Sequence, residues 1–422
     1  MKFPVGRKVR FLSIQSDVII VGGGASGIFT AILCAREGLH VVVLEQKDRI
    51  GKKLLATGNG KCNYTNRKLF SGCYRGENPG FVEEGLMQFG PEHVIDSMKE
   101  MGIYPKDKNG YIYPRSEQAS SMLDVFLLEL EKWNVQVCCE ERVKKVKKEK
   151  DGFVVETQKN RYLGRQVVLA TGGQASAKLG SDGSGYNIAK QLGHGIIPPV
   201  PALIGLRCKE DYYKEIAGVR TESEISLYID EKYIEKERGE LQLTNYGISG
   251  IVVFQLSRYA AVALEEGQKV HIKIDYVPEL EKEELKKILQ KRFQEKNKTA
   301  EEVLFGFLNK KLIPMFLKQS GIKVRMQAEM VKEQQIVQLA TKLKELKTTI
   351  IDTKGFENAQ VTAGGVSTWE VYSDTMESML VPGLYFTGEL LDIDGICGGY
   401  NLQWCWSSAY LAAHSICKKI TV

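Results

Sequence analysis

No stretch of this sequence approaches the ~18 consecutive apolar residues that a membrane-spanning helix needs, so no membrane partner is expected. No Cys-x-x-Cys pair occurs among its nine cysteines, Cys34, Cys62, Cys73, Cys138, Cys139, Cys208, Cys397, Cys405 and Cys417, and the five histidines do not cluster with them. That spacing excludes a zinc centre and a secreted disulfide framework, and no metal is expected. An odd number of scattered thiols suits a reducing cytoplasm, the expected location. The start, MKFPVGRKVRFLSIQS, lacks the apolar core of a secretion signal and reads as a short lead-in to the first strand. Charge of one sign is also missing: 58 basic against 52 acidic residues leave +6. That balance does not call for nucleic acid as a partner. The densest basic run, ERVKKVKKEK at 141–150, mixes Val with Lys like a strand with one wet face.

What is present points to an ordered protein of more than one domain. The 422 residues exceed the span of one hydrophobic core. With 43% hydrophobic residues, long disorder is excluded.

Residues 17–21, DVIIV, read as a strand buried on both faces. GGGASG follows, with Gly22, Gly24 and Gly27 in G-x-G-x-x-G spacing, then a helical stretch ending at Gly38 and a second strand, VVVLE, ending on Glu45. Each glycine has a task. Gly22 permits the tight turn, Gly24 lets backbone approach a pyrophosphate, and Gly27 lets the helix pack close to the sheet. The helix N-terminus then meets the anion with N–H groups and a positive dipole end. Glu45 stands about 20 residues on, where a carboxylate accepts hydrogen bonds from an adenosine ribose. It would repel a 2′-phosphate, so FAD or NAD is favoured over NADP. No second G-x-G-x-x-G follows, so no separate nicotinamide-binding Rossmann domain is expected.

Residues 51–66, GKKLLATGNGKCNYTN, read as a glycine-rich loop whose Asn, Thr and Lys side chains suit a ribityl chain, a phosphate or a flavin edge. With LATGG at 169–173, SDGSGYNIAKQLGH at 181–194, TNYGISG at 244–250, VTAGGVSTWEV at 361–371 and the long run 375–409, this stretch resembles the BaiN-like, aminoacetone-oxidase-like family of bacterial FAD proteins. The resemblance runs along nearly the whole chain. It implies an α/β fold: a Rossmann-type, glutathione-reductase-like FAD-binding domain interrupted by an insert with a small β-barrel and a helical bundle. The expected boundaries are 1–197 for the first part of the FAD domain and 198–278 for the barrel. The helical insert takes 279–346, the barrel return 347–360, and the end of the FAD domain 361–422.

The same resemblance implies a non-covalent FAD. On the nucleotide side its contacts fall on Gly22, Gly24, Ala25, Ser26, Gly27, Glu45 and Gln46, with the Val143 backbone at adenine and Thr171 and Gly172 at a strand end facing the cofactor. On the flavin side they fall on Lys53, Asn59, Gly60, Cys62 and Asn63. Glu389, after Gly388, holds the ribitol, and the helix beginning at Gly399, Tyr400, Asn401 and Leu402 points at the pyrimidine ring. Reduced flavin is anionic there, and a helix N-terminus stabilises such charge by roughly 0.3–2 kcal/mol. Trp404 and Trp406 read as packing residues. Cys397 stands where Thr is expected, and for both Cys62 and Cys397 a structural role is favoured over a redox couple. Many relatives read THxGxSGP at the TNYGISG segment; Asn245 stands where they have His, so no catalytic histidine is carried over, and Asn245, Tyr246 and Tyr400 are weak candidates for substrate contact.

The implied activity is an FAD-dependent oxidoreductase working by hydride transfer on a small organic substrate. NADH or NADPH is the expected transient donor, and an activated C=C bond the preferred acceptor. An oxygen-dependent oxidase of a small amine is the alternative, and a tRNA-modifying flavoprotein ranks below both. The catalytic residues and the oligomeric state stay open.

Overall fold

A computed structural model of the chain describes residues 13–70 and 72–421, and most of the lead-in expected at the start lies outside the described residues. The chain divides into two compact units, one running to Pro199 and resuming at Val361, the other spanning Val200–Gln360. Among the described residues no helix is long and apolar enough to cross a membrane.

The first unit is built on a mostly parallel sheet. Strand β1 (Ser13–Val21) leads through a glycine turn into helix α1 (Ala25–Arg36), which returns to β2 (Val41–Leu44), parallel to β1. Beyond β2 lies Gln136–Cys138, and on the other side of β1 lies Arg161–Leu169, both parallel. Strand Arg161–Leu169 serves two further partners. Its residues 161–164 run antiparallel to Gly152–Thr157, and 167–169 run parallel to Leu384–Phe386. All of β2 and Val18–Val21 are buried, the pattern of strands covered on both faces.

One local expectation holds with the help of a bulge, and one changes. Valines three apart cannot share a face of a regular strand, yet Val143 and Val146 are both buried. A register shift between Val143 and Lys145 supplies the extra residue that turns both inward. The stretch expected as loop at 51–66 contains one helical turn, Lys52–Ala56, and ends in a short strand, Thr65–Asn66.

The second unit holds a closed barrel in which Leu206–Cys208, Gly247–Ser249, Lys232–Thr244, Arg220–Ile229, Val270–Asp275 and Leu346–Thr353 pair in a ring. Closure leaves no strand edge to be covered. Alternation puts Ile225 and Leu227, Leu241 and Leu243, and Ile272 and Ile274 inside. Lys232–Thr244 is one long strand, joined to its neighbour by a tight turn with left-handed Asp230 and Glu231. Helix Ile251–Glu265 lies within the stretch expected to be all β. The expected helical segment contains Lys282–Phe293, Ile313–Gln319 and Glu333–Lys344. Leu285, Leu289 and Phe293 form the buried stripe of the first, and its charges take the wet face.

His194 anchors the return into the first unit. Its Nδ1 lies 3.1 Å from Glu370 Oε2 and its Nε2 2.9 Å from Ser378 Oγ. Ser378 Oγ already accepts the N–H groups of Leu380 and Val381. Its proton therefore points at Nε2, and Nδ1–H donates to Glu370. Burial lowers the affinity of this imidazole for a second proton, against the opposing pull of Glu370. Protonation would also aim two donors at one another. His271, buried in the barrel, is shifted the same way, mainly by burial. An unfolded chain protonates these rings near pH 6.5, the native chain only below that. Their contribution to stability is therefore full above about pH 6.5 and is lost as pH falls through the lowered native values. The urea midpoint should drop between pH 7 and pH 5, and His194→Gln should flatten part of that slope. A midpoint that rises toward acid would contradict the assignment.

Candidate cofactor site

The site begins with the turn between β1 and α1. Gly22 has φ +112° and donates to the Leu44 carbonyl at 2.8 Å. A side chain there would place Cβ 2.4 Å from the Ala170 carbonyl oxygen. At Gly27 the same atom would sit 2.0 Å from the Gly22 carbonyl oxygen, and at Gly23 it would sit 2.3 Å from the Ile50 side chain. Three of the four glycines are thus required by the protein's own packing. Gly24 differs: no protein atom lies within 4 Å of a Cβ built on it. It caps α1 in an extended conformation open to any L residue, φ −86° and ψ −171°. The first N–H groups of α1, from Ala25, Ser26 and Gly27, have no intrahelical partner.

Glu45 closes the turn from the end of β2. Its carboxylate is buried and accepts the Gly23 N–H at 2.9 Å and the Lys47 N–H at 2.8 Å, which leaves each oxygen a second lone pair. Gln46 donates to the Gly180 carbonyl at 2.5 Å and accepts from Arg142 at 2.8 Å, while Arg142 pairs with Asp182 at 2.9 Å. These bonds bring Val143, next to Arg142, beside the loop that follows Ser176.

A second cluster gathers at Glu389. One carboxylate oxygen takes the Lys53 ammonium at 2.6 Å, the other the Thr362 N–H at 2.7 Å. Thr362 Oγ1 in turn accepts the N–H groups of Gln174 and Ala175. Gly172 has φ +69°, and a Cβ on it would stand 2.8 Å from Ser181 Oγ. Gly388, also left-handed, leaves 2.8 Å to Ser26 Oγ by the same measure. Thr171, Gly172, Gly388 and Glu389 therefore meet the start of α1 and the Lys53 turn.

The third cluster joins the TGNGKCNYTN loop to the C-terminal helix, Tyr400–Thr421. Gly58, Asn59 and Gly60 are successive left-handed residues, and Asn59 and Gly60 are exposed. Cys62 turns inward: its sulfur is buried 3.3 Å from Met122 Sδ, and burial pushes the thiol up to about 12. That is an inert packing thiol. Asn63 Oδ1 is buried without a hydrogen-bond partner, 2.8 Å from where a Cβ on Gly399 would lie. Gly399 has φ +93°, and Gln403 N–H makes the first helical bond to its carbonyl. The N–H groups of Tyr400, Asn401 and Leu402 are thus left as orphan donors. The side chains of this turn are engaged elsewhere. Asn401 bonds Gly395 through both amide atoms, at 2.8 Å each, and the Tyr400 hydroxyl donates to the Lys68 carbonyl at 2.7 Å. Leu402 packs against the core, and Trp404 and Trp406 are buried packing residues. In the barrel, Asn245 is exposed and Tyr246 half-buried under Lys354, 4.4 Å from its ring.

One element of this cluster went unread in the sequence. Pro105–Lys108 and Tyr111–Pro114 form a hairpin across Asn109-Gly110, both left-handed, and its second strand pairs with Thr65–Asn66. Asn-Gly between two short alternating runs was the available signal.

The residues fit a flavin dinucleotide. The open space at Gly24 faces unpaired helix N–H groups, as a pyrophosphate needs, and the orphaned Asn63 oxygen beside a second helix N-terminus suits the donor-and-acceptor edge of a flavin. Gly24→Ala should therefore leave the fold and its melting temperature intact while the purified protein loses flavin absorbance. Gly27→Ala should prevent folding, since backbone must move. Retained flavin in Gly24→Ala would remove the phosphate from this turn.

The family described as HI0933-like protein Rossmann domain matches residues 16–415. The 3-dehydro-bile acid delta(4,6)-reductase of Clostridium scindens is 45% identical over 403 residues, covering 95% of this chain and 98% of that protein. The ribosomal RNA dihydrouridine synthase of Haemophilus influenzae is 31% identical over 415 residues, covering 97% and 100%. Among solved structures, the 3-ketosteroid delta1-dehydrogenase of Sterolibacterium denitrificans shares the fold, with a TM-score of 0.50 at 11% identity over 96% of this chain and 100% of that one. The chain belongs to the HI0933-like family of Rossmann-fold flavoproteins and is an FAD-dependent oxidoreductase.

Proposed function

We propose that this enzyme saturates a ring C=C bond conjugated to a carbonyl in a steroid-like ketone, using electrons from NADH or NADPH. The observation that carries the reading is the 45% identity, end to end, with the bile acid delta(4,6)-reductase. The more distant full-length relative is named for the same kind of chemistry, since dihydrouridine is uridine with its ring double bond saturated. That name favours RNA as a second substrate reading. The mild charge of +6 supports the small molecule over the polynucleotide. The absence of a second G-x-G-x-x-G in the sequence supports a nicotinamide donor that docks transiently. Scattered cysteines support a cytoplasmic location.

Bound FAD supplies a hydride to the substrate and accepts one from the donor. The chain's own residues hold it. The N–H groups at Gly24, Ala25, Ser26 and Gly27 take the pyrophosphate, Glu45 the adenosine ribose, with Gln46 and Val143 beside the adenine. Glu389 takes the ribitol, steadied by Lys53, with Thr171, Gly172 and Gly388 at its side. Asn59, Gly60, the Cys62 backbone and Asn63 border the flavin. The helix start at Gly399 to Leu402 faces its pyrimidine side, where a positive dipole end favours the reduced state.

The test is an anaerobic absorption titration of the purified protein with NADH and with NADPH, followed by a 3-oxo-4,6-diene steroid. The flavin band should bleach with one nucleotide and return as the diene is consumed. Bleaching by a small amine with oxygen uptake, or return of the band only with ribosomal RNA, would each replace the reading.

A further inference from the structure

Saturating a C=C bond places a hydride on one carbon and a proton on the other. Bound flavin would supply the electron pair as hydride; the proton must come from an acid beside the substrate. The inference below rests on the proposed reaction and concerns that acid.

The five histidines do not supply it. His194 is locked between Glu370 and Ser378, His271 lies in the barrel, His93 stacks on Phe89, His414 stacks on Tyr410, and His40 lies beside Asp17 at the start of β2. Cys62 faces Met122. Lys53 is held by Glu389 and is a cation that orders the ribitol cluster. Against the flavin-side loops stands the hairpin at 105–114. Tyr111 and Tyr113 alternate with Ile112, which is fully buried, so the two tyrosines share the opposite face. The ring edge of Tyr111 stands 2.9 Å from where a Cβ on Gly398 would lie, and that of Tyr113 stands 3.8 Å from the same point on Gly58. Both glycines belong to the loops that carry the flavin-side residues, 57–63 and 395–399. Asn66 ties these loops together by donating to the Gly398 carbonyl at 2.9 Å. Tyr111 is 40% exposed and Tyr113 half-buried, so neither side chain is sealed in the core.

We propose that Tyr113 is the proton donor of the reduction and that Tyr111 hydrogen-bonds the substrate carbonyl. As hydride adds to one carbon of the double bond, the O–H bond of Tyr113 breaks and a C–H bond forms at the other carbon. The phenolate then takes a proton from water. Lys108 is placed to balance that transient negative charge. Its ammonium stands 5.2 Å from the Tyr113 ring centre and is fixed, with Lys106, by Glu117. Burial raises the Tyr113 proton affinity while Lys108 opposes the rise, so the hydroxyl stays protonated at neutral pH. Tyr111, at the open edge, carries the carbonyl-binding role, since that role asks only for a hydroxyl that donates.

The experiment uses the full-length FAD-loaded protein and Tyr113→Phe, Tyr111→Phe and the double variant. Flavin content, melting temperature and bleaching by the nicotinamide donor should match the parent in all three, since no ring is lost. Return of the flavin band with the 3-oxo-4,6-diene steroid should slow by roughly 10²- to 10⁴-fold in Tyr113→Phe, and the solvent deuterium isotope effect on that step should vanish. Tyr111→Phe should weaken binding of the saturated 3-oxo steroid, read as a shift of the flavin band without turnover, by about tenfold. Parent-like reoxidation by Tyr113→Phe with its isotope effect intact would overturn the proton role. Parent-like steroid affinity in Tyr111→Phe would overturn the carbonyl role. A parent protein whose bleached flavin ignores the diene would overturn both, together with the reaction they serve.

Discussion

The structure turns on the close approach of Gly27 to the Gly22 carbonyl oxygen. A Cβ at position 27 would meet that oxygen at 2.0 Å, so only glycine lets α1 begin this close to the turn. The open face of Gly24 and the first N–H groups of α1 inherit their position from this approach. The turn itself is wedged under Ala170 at the end of the neighbouring strand and is held from the other side by Glu45. The Glu45 carboxylate is consequently both a part of the scaffold and a candidate ligand. It stabilises the turn through two backbone N–H groups and keeps lone pairs for a ribose. Gly24 is the one position in the turn where the protein leaves room, and the room is on the side of the helix dipole.

How much of this could be read in advance depended on how local the cause was. The β1–turn–α1–β2 unit was legible because its constraints fall within one short stretch. The barrel's strands were legible as alternating runs, since a half-buried strand writes its two faces into neighbouring residues, while their closure into a barrel was implied only by the family resemblance. Helix Ile251–Glu265 was missed because its start, IVVF, reads as a strand run, and only the spacing of the later alanines and Leu256 marks it as a helix. The burial of both Val143 and Val146 needed a bulge, which residue pattern does not announce. Side-chain direction was the least legible property of the site. Nothing near Cys62 in sequence says that its sulfur meets Met122, and nothing near Tyr400 says that its hydroxyl is taken by Lys68. The tyrosines at 111 and 113 are in the same class. Their hairpin could be recognised from Asn109-Gly110, but its partner strand at Thr65–Asn66 is a long-range choice made by packing.

The site also shows how one helix end can do two things at once. The turn from Gly395 to Leu402 keeps its backbone donors unspent while its side chains are committed: Asn401 to its own loop, Tyr400 to Lys68, Leu402 to the core. Such a turn is rigid before any ligand arrives. Its electrostatic effect on a bound group therefore carries little reorganisation cost.

Strand Leu384–Phe386 and the C-terminal helix complete the first unit, yet they follow the whole of Val200–Gln360 along the chain. On a ribosome, the barrel and its helices are made while the opening sheet still lacks one parallel neighbour and the helix that would shield it. The Lys53 ammonium waits for Glu389, 336 residues later, before their ion pair can form. The candidate cofactor site is therefore complete only in the finished polypeptide rather than in the growing one.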